Sequence, residues 1–505
     1  MSQARYEAEH ESLVGFLQDN LDDHQRARIG LMSFNQWPWT TAALVETAVA
    51  AHQAGSDISV AFWCDRTPLP DPGWTTSHRV ARLLRSRPIE HSAQDLIQLA
   101  GVPDGAFVQP PLKHHRSKNL PDLPQPLTRK AVRQLSYRGS GMGRSILQVH
   151  PDFDTPTRDD LIWPKRWIRR AMKSYAWVYD QTTELIHQRD LTTIVVFNGR
   201  FTHDRAAAAA AEAHGVKVLY YDYGGIETYF DLMHTTTHDW DALQDRMGRM
   251  WDRWGPDREE IAHRWFANRE NHTEPGIDVF IGLQETEHLP TLPQSSNIVV
   301  FFSSSGDEIA ELDLDWSNYF GSQEGALLAL AKACDELPDT TLVVRTHPHM
   351  RLKPKDDLAR WAAAVEAIGR NVHICPDDPT DSYALMRAAD RVVTYGSTSG
   401  VEAAYRKKPV AVMGPSAYQR LGCVTPIATT DQLQEWLTTP PRISPELSLP
   451  YGLMMQRRGF NLDWLASAPD GTIGRAPTIL TEAAELPRKI SHIVGSTTTQ
   501  WLTRK

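Results

Sequence analysis

The run RVVTYGSTSGVEAAYRKKPVAVMG, residues 391–414, decides the fold. It opens on a short strand-forming stretch, Arg391–Thr394, and closes on a second one, Val410–Met413. Between them SGVEAAY has the composition of a helix, entered through a turn holding Gly396, Gly400 and the hydroxyls of Ser397, Thr398 and Ser399. A strand, a tight loop and a helix leading into another strand is the unit of a parallel sheet.

The same alternation extends outward on both sides. IVVFF, residues 298–302, is a continuous apolar run, as expected of a strand buried on both faces. Helices are predicted at 324–336, 356–368, 382–388 and 401–406, alternating with strands at 341–345, 372–375, 391–394 and 410–413. Such alternation predicts a doubly wound α/β sheet. The first half follows the same grammar, with strands at 28–34, 58–63, 193–197 and 216–221 and helices at 42–54 and 205–214. Residues 112–144 are Pro-rich and basic, predicting an insertion, and helical sequence follows from about Trp163 to Arg189. Polar helical sequence at 239–271 leads to LPTLPQSS, residues 289–296, which reads as a linker. The expected fold is α/β: two Rossmann-like doubly wound domains facing across a cleft. The boundaries are 1–290, with a helical insertion, 297–440, and a helical tail, 441–505, packing back on the first domain.

Composition agrees with that size and class. A chain of 505 residues exceeds one ordinary core, and 41% hydrophobic with 23% charged residues is a globular balance. A net charge of −9 argues against a nucleic-acid binder, which needs a clustered basic surface. No run approaches the roughly 20 apolar residues of a membrane span, and the polar start MSQARYEAEHES is unlike a secretory signal, so the expected location is the cytoplasm. Cys64, Cys334, Cys375 and Cys423 lack CxxC spacing and read as reduced thiols, and no metal site is expected. Trp37, Trp39, Trp163 and Trp167 stand beside polar residues; packing at helix contacts is the simpler reading, and stacking on sugars the other. WPKRWIRRAMK, residues 163–173, reads as a solvated basic helix face, with contact to a membrane surface as the alternative.

Ligands of open parallel sheets bind beyond the carboxyl ends of the strands, so the residues after each strand matter most. After 298–302 come Ser303, Ser304 and Ser305; after 341–345 come Arg345 itself and His347; after 391–394 come Tyr395, Gly396, Ser397, Thr398 and Ser399. Small residues at a helix start let free N–H groups approach an anion, and Ser397–Ser399 add hydroxyl donors for a diphosphate. Ser399 and Glu402 also have the spacing of a capping box; Glu402 otherwise suits ribose hydroxyls. Arg345, His347 and His349 alternate and would project to one side, placing a fixed charge and a proton donor beside a phosphate. In the first half, His203, Asp204, Asp222 and Glu227 follow strands and are the candidate general bases. Glu227 is favoured, since it follows Gly224 and Gly225 and has no competing capping role. Neither GxGxxG nor GxxxxGK[ST] occurs, which disfavours dinucleotide and P-loop sites.

RTHPH at 345–349 and YGSTSGVEAAYRKKPVAVMG at 395–414 together resemble the donor half of bacterial capsule and surface-polysaccharide glycosyltransferases of the GT-B type. VVFNGRFTHDRAAAAAAEAHGVKVLYYDYGG, residues 195–225, is similar to the last βαβ unit of their acceptor half. The resemblance implies transfer of a sugar from a nucleotide-sugar to a glycan or lipid-linked glycan, without a cofactor or essential metal. It makes His347 a donor-phosphate contact, Ser397–Ser399 the hydroxyl loop and Glu402 the acidic residue after it. It does not assign the base. A cytoplasmic protein of this kind is expected to associate peripherally with the inner membrane or with a polysaccharide-synthesis complex. The alternatives are a polyol-phosphate transferase of the CDP-glycerol type, a sugar-nucleotide epimerase, and a non-catalytic binder on the same fold.

Overall fold

The computed structural model describes residues 13–462, apart from 22–26, 35–37, 64–66, 68–89, 110–118, 149–159, 161, 226–228, 274–283, 296, 305–319, 354, 370–371 and 443. Glu227, Ser305, Trp37 and the tail beyond 462 therefore lie outside the described residues.

Two six-stranded sheets form the frame. The first contains β1 (Arg28–Ser33), β2 (Asp57–Phe62), β3 (Thr193–Phe197), β4 (Lys217–Tyr223), β5 (Tyr229–Met233) and β12 (Phe460–Asn461). Its order is β12-β5-β4-β3-β1-β2. The four strands β2, β1, β3 and β4 are parallel, while β5 is antiparallel to β4 and β12 to β5. The second sheet orders β11 (Thr425–Pro426), β10 (Val410–Val412), β9 (Arg391–Thr394), β6 (Asn297–Phe302), β7 (Thr340–Arg345) and β8 (Val372–Ile374), all parallel. The β-branched TIVVF of β3 is buried along its whole length, and the last four residues of β6 and of β7 are buried. Strands covered on both faces need that composition, which is why the sequence marks them clearly.

Among the described residues the helices of seven residues or more are α1 (Leu13–Asn20), α2 (Pro38–Gln53), α3 (Lys165–Arg189), α4 (Thr202–Ala213), α5 (Trp240–Arg253), α6 (Arg258–Glu270), α7 (Gln323–Asp335), α8 (Lys355–Ala367), α9 (Ser382–Ala388), α10 (Ser399–Tyr405), α11 (Thr430–Thr438) and α12 (Leu449–Arg457). Ala206–Ala211 of α4 are all buried, so the helix lies with α3 against the first sheet. Basic residues of α3 such as Arg166, Arg169 and Arg170 are exposed, whereas Trp163 is buried, and Trp39 stacks on Tyr223 at 3.8 Å. These tryptophans pack.

The chain crosses between the sheets twice. Helices α5 and α6, inside the expected first domain of residues 1–290, contribute Met247, Trp265 and Phe266 to the same core as Val300, Val392 and Val410 of the second sheet. Helix α12 joins that core through Leu453 and Met454, and the chain then returns to pair β12 with β5. The two crossings meet at an ion cluster. Asp231 on β5 is fully buried, 2.6 Å from Arg246 of α5 and 3.5 Å from Arg458 just after α12. Burial pushes its carboxyl up, but the charges of Arg246 and Arg458 outweigh burial and hold it below the usual carboxylate range.

Removing one partner of a buried ion pair strands the other charges, a loss of about 3–5 kcal/mol. Asp231→Ala should lower the unfolding free energy by that order, as read by urea denaturation at pH 7. Because the folded value of Asp231 is depressed, its contribution is present above the unfolded carboxyl range and is lost as pH falls through the folded value. The difference between wild type and variant should therefore shrink below about pH 4.

Candidate functional site

In the second sheet, β7 and β8 run outward from β6 on one side and β9 and β10 on the other, so the crevice beyond β6 and β9 is the topological switch point. A cavity of about 180 Å³ lies there. Its walls include Ser303 after β6, Arg345 and His347 after β7, and Ser397, Thr398, Ser399 and Glu402 at the start of α10. Three segments predicted from sequence thus meet in one place.

Local hydrogen bonds hold these segments together. The Ser303 hydroxyl accepts from the His347 amide at 2.7 Å, joining the ends of β6 and β7. Ser304 is held by Gln323, to which it donates its amide at 2.6 Å. His347 is extended (φ −60°, ψ 132°), as its following proline requires, and its Nδ1 accepts from the His349 amide at 3.1 Å. With Nδ1 accepting, the ring proton sits on Nε2. Burial, with the charges of His349 and Arg345, pushes the imidazole down to about 4, so at neutral pH it is an uncharged N–H donor. Ser397 donates its hydroxyl to Ser399 at 3.2 Å, while its amide donates to Thr394 Oγ1 at 2.9 Å. Gly396 has φ +78°, and a Cβ there would stand 2.2 Å from the Pro415 carbonyl, so the loop closes only with glycine.

The structure corrects several expectations. Arg345 does not alternate outward with His347 and His349. Its guanidinium is buried and donates to the carbonyls of Cys375 at 2.5 Å and Asp378 at 3.1 Å. It still borders the cavity and supplies fixed charge, whereas His349 does not line it. The capping box is absent: Thr398 occupies the cap position without a capping hydrogen bond from its side chain, and Glu402 accepts from Arg269 Nε at 2.8 Å. Glu402 is thus neutralised by Arg269 and walls the cavity instead of standing open to ribose hydroxyls. Arg269 of α6 and Tyr383 of α9 also line the site and were missed, because nothing in a polar surface-helix pattern announces a residue that reaches into a neighbouring sheet.

The first sheet has its own polar edge. Beyond β3 and β4, Asp222 accepts from Asn198 Nδ2 at 2.5 Å, from the Thr237 hydroxyl at 2.6 Å and from the Tyr223 amide at 2.7 Å. Burial raises its carboxyl, opposed by those donors and by the charges of Arg200 and Arg458. His238 beside them is pushed down to about 3 by burial and by Arg200 and Arg458. His203 is buried with its ring 5.8 Å from Phe34. Asp204, on the first turn of α4, is 1% exposed, and neither carboxyl oxygen has a hydrogen-bond partner. Burial drives its carboxyl well above the usual range; the amides of Asp204 and Phe197 pull the other way without completing a hydrogen bond, and Asp222 adds to the rise.

Gly224 and Gly225 do not provide room for a substrate. A Cβ on Gly225 would lie 2.2 Å from the Met455 carbonyl, and one on Gly224 would lie 2.8 Å from the Arg458 carbonyl. The glycines admit the backbone of the last turn of α12 and of the residue after it, and the Gly225 amide donates to the Arg458 carbonyl at 2.7 Å. Among the described residues no cluster of three or more His, Cys, Asp or Glu could hold a metal, and no helix is long and apolar enough to cross a membrane.

A family model described as capsule polysaccharide biosynthesis protein matches residues 311–446, the stretch that contains His347 and the Ser397–Ser399 loop. No curated protein sequence matches the chain. Among solved structures, the beta Kdo 2,7 transferase of Thermosulfurimonas dismutans KpsC aligns at 16% identity and TM-score 0.34, over 55% of this chain and 80% of that one. The beta Kdo 2,4 transferase of the same protein aligns at 17% identity and TM-score 0.36, over 52% and 79%. A putative UDP-N-acetylglucosamine 2-epimerase from Listeria monocytogenes aligns at 11% identity and TM-score 0.27, over 90% and 94%.

The raised carboxyl of Asp204 has a direct consequence. A group whose folded pKa exceeds its unfolded one makes the native state bind more protons, so stability falls as pH rises from about 4 through the folded value. Asp204→Asn removes that titration. The variant should be at least as stable as wild type at pH 7 and should lose less stability between pH 4 and 7, as measured by urea unfolding across that range.

Proposed function

We propose that the protein is a glycosyltransferase that moves a sugar from a nucleotide-sugar donor to a growing capsular or cell-surface polysaccharide. The observation that carries this reading is the convergence of the loops after β6, β7 and β9 on one cationic cavity at a sheet switch point, two of those loops lying in the stretch matched by the capsule model. The donor diphosphate rests against the Gly396–Ser399 loop and the Nε2–H of His347. Arg345 and Arg269 supply fixed positive charge, set against Glu402, the one carboxylate on the wall among the described residues. This donor set stabilises the departing nucleoside diphosphate without a divalent cation. An acceptor hydroxyl attacks from the side of the first sheet, with inversion at the anomeric carbon.

Inversion requires a base within reach of that hydroxyl. Asp204, Asp222 and His203 are walled in, so we assign the role to Glu227 on the connection between β4 and β5. The nucleotide-sugar pool places the enzyme in the cytoplasm. The exposed Arg166, Arg169 and Arg170 of α3, with Lys165 and Lys173, suit contact with an anionic membrane surface.

Isothermal titration with UDP-, GDP- and CMP-sugars and CDP-glycerol should show one nucleotide class binding. Ser397→Ala combined with Ser399→Ala should weaken it by about 1–3 kcal/mol, the range for hydrogen bonds to a charged group. Unchanged affinity in the folded double variant would remove the donor from this loop, and selective binding of CDP-glycerol would replace the sugar with a polyol phosphate. In turnover assays with acceptor, Glu227→Gln should reduce rate by about 10²–10⁴-fold, with donor affinity nearly unchanged and EDTA without effect. Normal turnover in Glu227→Gln would sink the base assignment, and loss in EDTA restored by Mg²⁺ would sink the metal-free mechanism.

A further inference from the structure

A second and larger cavity, of about 600 Å³, opens at the junction where the chain crosses between the sheets. It is bounded by the ends of β5 and β12, by α5 and by the end of α12, and none of the donor-cavity residues takes part in it. Its volume falls within the range, about 300–1,000 Å³, of pockets that enclose small ligands. Five arginines line it: Arg246, Arg249, Arg253, Arg457 and Arg458. Among the described residues the only acidic side chains on its wall are Asp239 and Asp257. Asp239 already accepts from the Ala242 amide as the cap of α5. On a chain of net charge −9, this is a concentration of positive charge in a concave place.

The arginines are not equivalent. Arg246 and Arg458 are held by the buried carboxylate of Asp231. Arg249 and Arg457 have no ion pair or hydrogen-bond acceptor among the described residues, and the Nε of Arg457 is buried with no partner. These two guanidinium groups, without a counter-charge among the described residues, face a cavity whose walls also include the rings of Phe16, Tyr229, Trp254 and Phe460 and the hydroxyl-bearing run Thr235–Thr237. Planar donor forks match carboxylate or phosphate oxygens, aromatic faces match the apolar faces of pyranose rings, and hydroxyls match sugar hydroxyls.

We propose that this cavity binds an anionic saccharide, a sugar chain segment carrying carboxylate or phosphate groups, through Arg249 and Arg457. Identifying that segment with the growing glycan rests on the proposed function; binding of the anionic sugar does not. On that reading the site holds acceptor chain, so that the glycan remains tethered between successive additions.

The test is titration of the full chain with trigalacturonate, glucose 6-phosphate and neutral maltotriose, at low and at physiological salt. One or both anionic probes should bind, more weakly as salt rises, and maltotriose should not. Carboxylate or phosphate as the natural group is then read from which probe binds. Arg249→Gln with Arg457→Gln should weaken that binding at least tenfold while leaving nucleotide binding at the Ser397 loop unchanged. Both arginines lie outside the Asp231 cluster, and an unaltered unfolding midpoint confirms that the variant is folded. Equal binding of maltotriose, no binding of either anion, or unchanged affinity in the double variant would each overturn the proposal. Binding of an anionic probe without binding of any nucleotide-sugar would overturn the proposed function and leave this site standing.

Discussion

The molecule depends on one buried carboxylate. Asp231 stands on the strand that ends the contiguous first sheet, yet its partners come from the helix that begins the second core and from the residue after the helix that ends it. An unpaired carboxylate at zero exposure would be expensive, so the position of Asp231 dictates where Arg246 and Arg458 must lie. Both crossings of the chain are fixed by that requirement. Arg458 extends the clamp, since its Nη2 also donates to the carbonyls of Tyr223 at 3.1 Å and Gly224 at 3.2 Å. The same guanidinium thus holds the end of β4, the base of β5 and the return of the chain into β12.

That clamp explains a misleading feature of the sequence. Two adjacent glycines after a strand, beside acidic residues, read as a flexible substrate loop. Their actual use is close approach of the main chain at the end of α12, because any side chain would strike the Met455 or Arg458 carbonyls. The partner is more than two hundred residues away in sequence, and no local pattern encodes it. The basis for favouring Glu227 therefore changes from loop flexibility to the burial of its three competitors.

The inner parallel strands were legible, unlike the two-residue edge strand β11, because each had to be apolar on both faces; β3 and β9 have the boundaries that their patterns predict. Strand β5 was not, since a two-sided partner change to antiparallel pairing leaves no distinct periodicity, and β12 is only two residues long. The candidate site was legible in its loops, since hydroxyls, glycines and His-Pro stand at strand ends where a doubly wound sheet places ligands. Its chemistry was less so. Arg345 looked like a phosphate ligand until its Nη groups were found on backbone carbonyls, and Glu402 looked open until Arg269 arrived from another element. Residue type at a strand end marks the site, but pairing across elements decides what each residue can still do.

The two cavities are connected through the same helices. Arg269 reaches the donor cavity from α6, and α6 packs on α12 through the edge contact of Trp265 with Tyr451 at 5.5 Å. Tyr451 is buried at the start of α12, and the far end of that helix carries Arg457 and Arg458 into the arginine-lined cavity. The route from Glu402 through Arg269, Trp265 and Tyr451 to Arg457 is contiguous and closely packed, and contains a neutralised ion pair in place of a flexible loop. A packed path of this kind does not by itself transmit a signal, because coupling requires an element with two arrangements. What it does provide is fixed spacing: the cavity at the switch point and the arginine-lined cavity are set on one packed helix pair. For the proposed transfer to a growing glycan that spacing would have a chemical use, since a chain anchored at the proposed second site would present its end to the first sheet at a constant reach from the proposed donor.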